Sequence, residues 1–321
     1  MKQALAILLL LFSPVLAFSK EGLTETGSPR LTEKILFLTN STFHAHGGSM
    51  KPFNGYCENA GIRYEASGSY SYFESTPQGR RISPFIKGQI EDTRILELIA
   101  KEQFDYVVLV TRFHAFLTDE EASIEIEAFK KMHEHIVRSG ARTVVSISYI
   151  TREQTNDAGI QTRNLEKHEQ LKEVLNNTVV DGKKSPIILV PTGVLWAEGI
   201  RQFGGDAWFA DKVHGTPLAQ HASGCLFFTF ITGNDPRKNS YVELHVGEKF
   251  SKKELTPDQA KWISNQAWSL YLNGKNMNKV KMEESAQQVT MYKNPHLSGC
   301  AVKKQMPISL DNLILRTYEK N

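Results

Sequence analysis

An aspartate and a histidine three residues apart have the side-chain types of a proton-transfer pair. They occur in WFADKVHGTPLAQ (208–220) as Asp211 and His214, just before a predicted helix. A histidine that takes a proton from a nucleophile needs one fixed tautomer, and a neighbouring carboxylate can fix it. The same spacing also suits a turn-capping aspartate and a surface histidine. The pair therefore needs a nucleophile elsewhere in the chain before it indicates catalysis.

A hydroxyl group follows the first apolar run of the chain. KILFLTN (34–40) is a predicted strand, and Ser41 comes directly after it, at a sharp turn into a helix. A serine in such a turn is exposed to substrate, while its own backbone N–H can donate to an oxyanion. An N-cap serine has the same geometry without any chemistry. Ser41 is thus the candidate nucleophile only in combination with the distant Asp–His pair.

The elements that must position these residues alternate along the chain. Strands are predicted at 34–40, 104–112, 142–149 and 186–193, and helices at 49–59, 90–101, 119–139, 164–177, 217–231 and 257–273. The segment 60–90, rich in Gly, Ser, Tyr and Pro, is predicted to be a long surface loop. Nearly continuous apolar strands separated by helices indicate an α/β protein whose parallel sheet is covered on both faces.

The first residues have the pattern of a signal peptide. Lys2 precedes an apolar run at 4–16, and the small residues Val15 and Ala17 predict cleavage after Ala17. The run is too short to span a membrane, which needs about 20 apolar residues. The predicted division is a signal peptide at 1–17, a polar leader at 18–30, one domain at 31–273 and a C-terminal extension at 274–321. We expect the mature protein to be secreted or periplasmic, without a membrane span.

Charge and cysteine usage exclude several classes of function. Lys+Arg 38 against Asp+Glu 35 gives a net charge of +3, which argues against a nucleic-acid partner because such binding needs clustered basic charge. Cys57, Cys225 and Cys300 allow at most one disulfide, whose partners the sequence does not define. No pair of them has the spacing of a zinc or redox motif. The oligomeric state is left open.

Five blocks of the sequence together resemble the SGNH, or GDSL-type, hydrolases. They are KILFLTNST, DYVVLVTRFH, ARTVVSISYI, VPTGVLWAEG and DKVHGTPLAQHASGCLFFTFITG, between about residues 34 and 273. The resemblance is strongest to the secreted bacterial branch whose first block reads G-N-S. It implies a flavodoxin-like three-layer α/β/α sandwich. It also implies a metal-free esterase, often acting on acetyl groups of carbohydrates, with Ser41 as nucleophile, His214 as general base and Asp211 orienting the imidazole.

The chain departs from that family in its oxyanion residues. Thr39 stands where the family has a glycine, Gly68 is the best equivalent of the second-block glycine, and His114 is nearest by spacing to the third-block asparagine. Losing a well-placed oxyanion donor costs about 100–1000-fold in rate. Two alternatives to an active esterase therefore stay open. One is an impaired protein that binds glycan, and the other is a metal-dependent hydrolase using His44, His46 and His114.

The predicted substrate is a small-molecule or polysaccharide ester. Four aromatic residues are candidates for stacking on sugar rings: Tyr70, Tyr72, Phe73 and Trp208. For Trp208, hydrophobic packing beside the Asp–His turn is the alternative. Three arginines suit an acidic glycan, or a solvated loop: Arg80, Arg81 and Arg112.

Overall fold

The computed structural model describes residues 33–40, 43, 49–70, 83, 85–147, 151–154, 158–244 and 253–274. These residues all belong to one compact unit, 32–321. The predicted signal peptide, the polar leader and residues 275–321 lie outside the described residues, as does Ser41. None of the helices in the described ranges has the length and apolar character that crossing a membrane requires.

The centre of the fold is a sheet of five parallel strands. They are β1 (Glu33–Leu38), β2 (Tyr64–Tyr70), β3 (Tyr106–Leu109), β4 (Arg142–Ser146) and β5 (Ile188–Val190). The strands lie in the order β2-β1-β3-β4-β5, and every neighbouring pair is parallel. This is the flavodoxin-like order, in which the chain changes direction across the sheet between β1 and β3.

Helices cover both faces of the sheet. In chain order they are α1 (Met50–Asn59), α2 (Ile86–Gln89), α3 (Thr93–Lys101), α4 (Asp119–Arg138), α5 (Ala158–Asn177), α6 (Thr192–Phe203), α7 (Gly205–Trp208), α8 (Pro217–Thr232) and α9 (257–274). The core on one face is formed with α1, α6, α8 and α9, and the core on the other face with α3, α4 and α5. The predicted three-layer α/β/α sandwich is therefore confirmed.

Strand β1 shows how the sequence specifies two cores. Ile35 and Phe37 belong to the core that contains α8, while Leu36 and Leu38 belong to the core that contains α4. All four side chains are fully buried. Successive side chains of a strand point to opposite faces, so a strand covered on both sides must be apolar at every position. The continuous apolar run ILFL (35–38) has this composition for that reason.

Helices α1 and α8 pack closely beside the first strand. A Cβ atom on Gly224 of α8 would lie 2.8 Å from the backbone oxygen of Ser49 and 2.8 Å from the backbone nitrogen of Phe53. Glycine at this position therefore allows the two helix backbones to approach. Cys57 on α1 and Cys225 on α8 carry free, buried thiols. Burial raises the pKa of each thiol to about 12, so both thiols stay protonated at neutral pH and are unreactive core residues.

The prediction of a long loop over 60–90 is wrong. That segment contains β2 and the short helix α2. Strand β2 reads YEASGSY and lies at the edge of the sheet, where it pairs only with β1. An edge strand needs no continuous apolar run, so its sequence lacks the signal that identifies the central strands. The other predicted strands and helices are present with shifted ends. For example, the helix predicted from 164 begins at Ala158.

Candidate active site

Asp211 and His214 form a hydrogen-bonded pair with a defined tautomer. The His214 Nδ1 atom lies 2.7 Å from Asp211 Oδ2. Burial alone would raise the pKa of Asp211, but hydrogen bonds from the His214 ring and from the backbone N–H groups of Val213 and His214 outweigh it and lower that pKa to about 2. The ionised carboxylate can only accept, so Nδ1 carries the proton and donates it. The lone pair of neutral His214 is then on Nε2, as a general base requires.

The loop that carries the pair is fixed by its own backbone. Asp211 Oδ1 accepts from the N–H of Val213 at 2.8 Å and from the N–H of His214 at 2.7 Å, which closes an Asx-type turn. The Ala210 N–H donates to the His214 carbonyl at 2.8 Å, and Phe209 forms an antiparallel bridge with Gly215. A Cβ atom on Gly215 would lie 2.4 Å from Trp196 Cη2. Only glycine fits there without a shift, because the Phe209–Gly215 bridge places the loop backbone in contact with the buried indole of Trp196.

The short turn Arg152–Gln154 also bonds to the loop that carries the pair. The N–H of Arg152, in the short 3₁₀ turn Arg152–Gln154, donates to the Lys212 carbonyl at 3.0 Å. Lys212 Nζ lies 2.9 Å from Glu153 Oε1, and Arg152 pairs with Asp206. Exposed ion pairs contribute at most about 1 kcal/mol each, so the backbone hydrogen bond is the main constraint. The turn therefore holds the backbone between Asp211 and Val213 in place.

A cavity lies at the carboxyl ends of the strands, beside this pair. Phe43 after β1, Thr111 and Arg112 after β3, Ser146 of β4 and Val213 of the loop all line it. Its enclosed volume is about 30 Å³, and the empty space reaches about 540 Å³ when the open solvent around it is included. In sheets of this order, ligands bind outside the carboxyl ends where the strand order reverses, here between β1 and β3. Val213 lines the cavity and directly precedes His214, so the cavity borders the loop that carries the Asp–His pair.

The described neighbours of Ser41 lie at this site. Asn40 is buried, and its Nδ2 atom donates to the Val110 carbonyl at 3.4 Å. The Phe43 N–H donates to the Asn40 carbonyl at 3.0 Å, and Phe43 lines the cavity. Thr39 is fully buried and is not among the described residues that line the cavity. Thr39, which stands where the resembled hydrolases have a glycine, is therefore not part of the described cavity lining.

The two residues predicted to bind the oxyanion, Gly68 and His114, lie in different elements. Gly68 lies in β2, next to β1. His114 lies in the 3₁₀ turn Phe113–Phe116 and is partly buried. The pKa of His114 is lowered mainly by burial and to a smaller extent by the positive charge of Arg112. Within the described cavity lining, the segment after β3 contributes Thr111 and Arg112 and not His114. The oxyanion roles of Gly68 and His114 stay predictions.

Trp208 is a packing residue. It is fully buried, and its ring stacks on Phe203 at 5.9 Å between centroids and meets Trp262 of α9 edge-on at 5.8 Å. The prediction that Trp208 stacks on a sugar is therefore wrong, and the packing alternative is right. Tyr72 and Phe73 lie outside the described residues, as does the side chain of Tyr70.

The metal alternative rests on residues that are mostly not described. His44 and His46 lie outside the described residues, and His114 is the one member of the proposed set within them. Across the ranges that the structure describes, no three His, Cys, Asp or Glu side chains are grouped so that they could hold a metal ion.

One buried carboxylate near the site was missed from the sequence. Glu125 of α4 is 1% exposed and accepts hydrogen bonds from Thr111 Oγ1 at 2.5 Å, from the Ile86 N–H at 2.6 Å and from the Lys87 N–H at 3.1 Å. Its position between Ala122 and Phe129 on the apolar stripe of the helix is the signal that could have found it. A buried carboxylate requires such donors.

Comparisons with known proteins identify the fold. No protein-family model matches the chain, and no curated protein matches it. A DUF4886 family protein from Bacteroides uniformis matches at a TM-score of 0.53 and 13% identity, over 75% of this chain and 95% of that one. The two chains share a fold, which is the α/β/α sandwich predicted from the sequence.

Further solved structures match with lower scores. A candidate SGNH hydrolase from Slackia heliotrinireducens matches at a TM-score of 0.45 and 16% identity, over 62% of this chain and 99% of that one. A family 3 carbohydrate esterase from Clostridium thermocellum matches at a TM-score of 0.46 and 14% identity, over 63% of this chain and 96% of that one.

Proposed function

We propose that the protein is an exported serine esterase that hydrolyses acyl esters, with acetyl esters of carbohydrates as the preferred class. The observation that carries the proposal is the Asp211–His214 pair, whose tautomer leaves Nε2 as a base beside a cavity. The Nε2 atom makes no hydrogen bond to another described residue, so no such partner competes with a nucleophile. Ester hydrolysis uses these parts and needs no cofactor.

Ser41 is the proposed nucleophile. Its support is covalent connectivity, because Ser41 is bonded to the buried Asn40 and lies two residues before Phe43 on the cavity wall. His214 Nε2 takes the proton of the Ser41 hydroxyl as its oxygen attacks the acyl carbonyl. The same proton passes to the departing alcohol, which leaves an acyl-enzyme. His214 then deprotonates a water molecule that releases the acid and restores Ser41.

The negative charge that develops on the carbonyl oxygen needs donors. The proposed donors are the backbone N–H of Ser41, the backbone N–H of Gly68 and the ring of His114. The lowered pKa of His114 keeps its imidazole neutral at neutral pH, and a neutral imidazole still has one N–H to donate.

The alternative is an impaired SGNH-fold protein that binds glycan without cleaving it. It is motivated by the absence of the family's asparagine after β3. The buried side chain of Thr39 removes one reason for it, because that departure leaves the cavity clear.

The test is turnover of p-nitrophenyl acetate and of acetylated polysaccharides by the mature protein and by Ser41→Ala. We expect the substitution to reduce kcat by about 10³-fold or more, since it removes the attacking atom. Ser240→Ala, at an exposed serine that contacts Asn59, is the matched control. Equal turnover by the wild type and Ser41→Ala would exclude the esterase. Activity that a chelator removes would favour the metal-dependent alternative, and retained glycan affinity without turnover would favour the binding protein.

Export is tested separately. The full chain is expressed in a bacterial host, the extracytoplasmic fraction is collected, and its amino terminus is sequenced. We expect the recovered protein to begin at Phe18. Intact protein that stays in the cytoplasm would contradict the proposal.

A further inference from the structure

One side chain gives the cavity a charge. The described lining is formed by apolar residues such as Phe43 and Trp196, by hydroxyl-bearing residues such as Ser146, and by Gln220. Arg112 is the one charged residue in that described lining. Its charge acts on its surroundings, because it contributes to the lowered pKa of His114. A ligand in the cavity therefore meets a positive charge on the β3 side.

Arg112 also differs from most of the described arginines, which form ion pairs with Asp or Glu: Arg94, Arg138, Arg152, Arg163, Arg201 and Arg237. Within the described ranges, Arg112 has no ion pair, although it is partly buried. Removing a guanidinium from water without a counterion costs free energy. An anionic ligand that enters the cavity offsets this cost.

Hydrogen bonds fix the backbone on both sides of Arg112. Thr111 precedes it and donates through Oγ1 to the buried carboxylate of Glu125. That carboxylate also accepts from the backbone N–H groups of Ile86 and Lys87, so it ties the end of β3 to the start of α2. The Ala115 N–H donates to the Arg112 carbonyl at 3.1 Å, which closes the next turn. A guanidinium on an anchored backbone loses less entropy when it binds a ligand.

From this geometry we infer that Arg112 binds an anionic group on the alcohol part of the substrate, so that the preferred substrate is an acyl ester of an acidic carbohydrate such as a uronic acid. The guanidinium offers parallel N–H groups that match both oxygens of a carboxylate. A neutral sugar offers only uncharged hydroxyl acceptors, which bind a guanidinium more weakly than a carboxylate does. This inference rests on the proposed esterase function, which it makes more specific.

The kinetic test uses two esters that differ at one group. Mono-O-acetylated methyl glucuronoside carries a carboxylate where mono-O-acetylated methyl glucoside carries a hydroxymethyl group. For the wild type we expect kcat/KM to be roughly 10- to 100-fold higher on the acidic ester, mainly through a lower KM. Arg112→Gln should lose this preference. Arg112→Lys keeps the positive charge but lacks the paired N–H groups of the guanidinium, so it should keep part of the preference.

The matched control is Arg63→Gln. Arg63 is exposed and lies just before β2, at the amino end of the parallel strands and so at the edge of the sheet opposite the cavity. We expect this variant to keep the wild-type preference. Equal kcat/KM on the two esters, or an undiminished preference in Arg112→Gln, would overturn the inference and leave the esterase proposal intact.

A binding measurement separates this inference from the esterase proposal. Isothermal titration calorimetry compares methyl glucuronoside with methyl glucoside, neither of which contains an ester. We expect the wild type to bind the acid roughly 10-fold or more tightly than the neutral sugar, and Arg112→Gln to bind both alike. If the protein hydrolyses neither ester, the esterase proposal fails, and the calorimetry still decides the role of Arg112. Equal affinity of the wild type for both sugars would overturn the inference that Arg112 binds an anionic group.

Discussion

His168 makes the stability of the fold depend on pH. It lies on α5 and is 1% exposed, with its ring centroid 4.5 Å from that of Phe116. Its Nδ1 lies 2.6 Å from the Asn164 carbonyl oxygen, which can only accept, so Nδ1 carries the proton. Its Nε2 is buried and has no hydrogen-bond partner. Burial lowers the pKa of His168 to about 4, although the hydrogen bond to Asn164 opposes the shift.

The size of the effect follows from proton linkage. The pKa of His168 is about 4 in the folded chain, and the reference value is 6.5. Between these values the unfolded chain binds more protons, so this contribution to stability is fully present above pH 6.5 and is lost as the pH falls towards 4. Between about pH 7.5 and about pH 5.0, linkage gives a loss of about 2 kcal/mol.

The assay is urea unfolding of the wild type and of His168→Leu at these two pH values. We expect the free energy of unfolding of the wild type to fall by about 2 kcal/mol more than that of the variant. His135→Leu on α4 is the control, since His135 is exposed and should leave the wild-type dependence unchanged. A variant that loses as much stability as the wild type would refute the reasoning. NMR titration of the wild type is a second measurement, in which the His168 ring should stay neutral down to about pH 4.

Two further predictions concern the loop that carries the Asp–His pair. Asp211→Asn should lower kcat by about 10³- to 10⁴-fold, because an amide no longer enforces the Nδ1–H tautomer, and steady-state kinetics would show it; a loss below tenfold would contradict the role of Asp211. Gly215→Ala should destabilise the fold by about 1–3 kcal/mol in urea unfolding, because the added Cβ would lie 2.4 Å from Trp196. Gly205→Ala is its control, since the nearest atom to that Cβ is 3.5 Å away, and equal stability of the two variants would exclude the steric explanation.

The central elements could be predicted from the sequence because burial on both faces leaves a strong signal. Strand β3 and the last four residues of β1 are apolar and buried at every position. Strand β2 has no such run, because its polar sequence is set by a place at the edge of the sheet. That place is a property of the assembled sheet and does not show in the local sequence.

In the candidate site, too, local contacts could be predicted from the sequence and tertiary contacts could not. The Asp211–His214 contact could be predicted because three residues of a turn bring both side chains together locally. The contact of Glu125 with Thr111 joins α4 to the end of β3, and only the packed helix brings that carboxylate to the strand. Arg112 could be named from the sequence as a candidate, but its place in the cavity wall depends on residues from several strands. What the sequence did not give is thus the set of tertiary contacts.

The aromatic contact between Trp208 and Trp262 sets a limit on how far the chain can be shortened. Trp262 belongs to α9, which is capped by Thr256 and Gln259 and buries Ile263 and Ala267 in the core. A truncation before this helix would leave the buried indole of Trp208 open to water directly beneath the loop of Asp211 and His214. Helix α9 is therefore part of the minimal folding unit of the site, and a shortened protein must retain it.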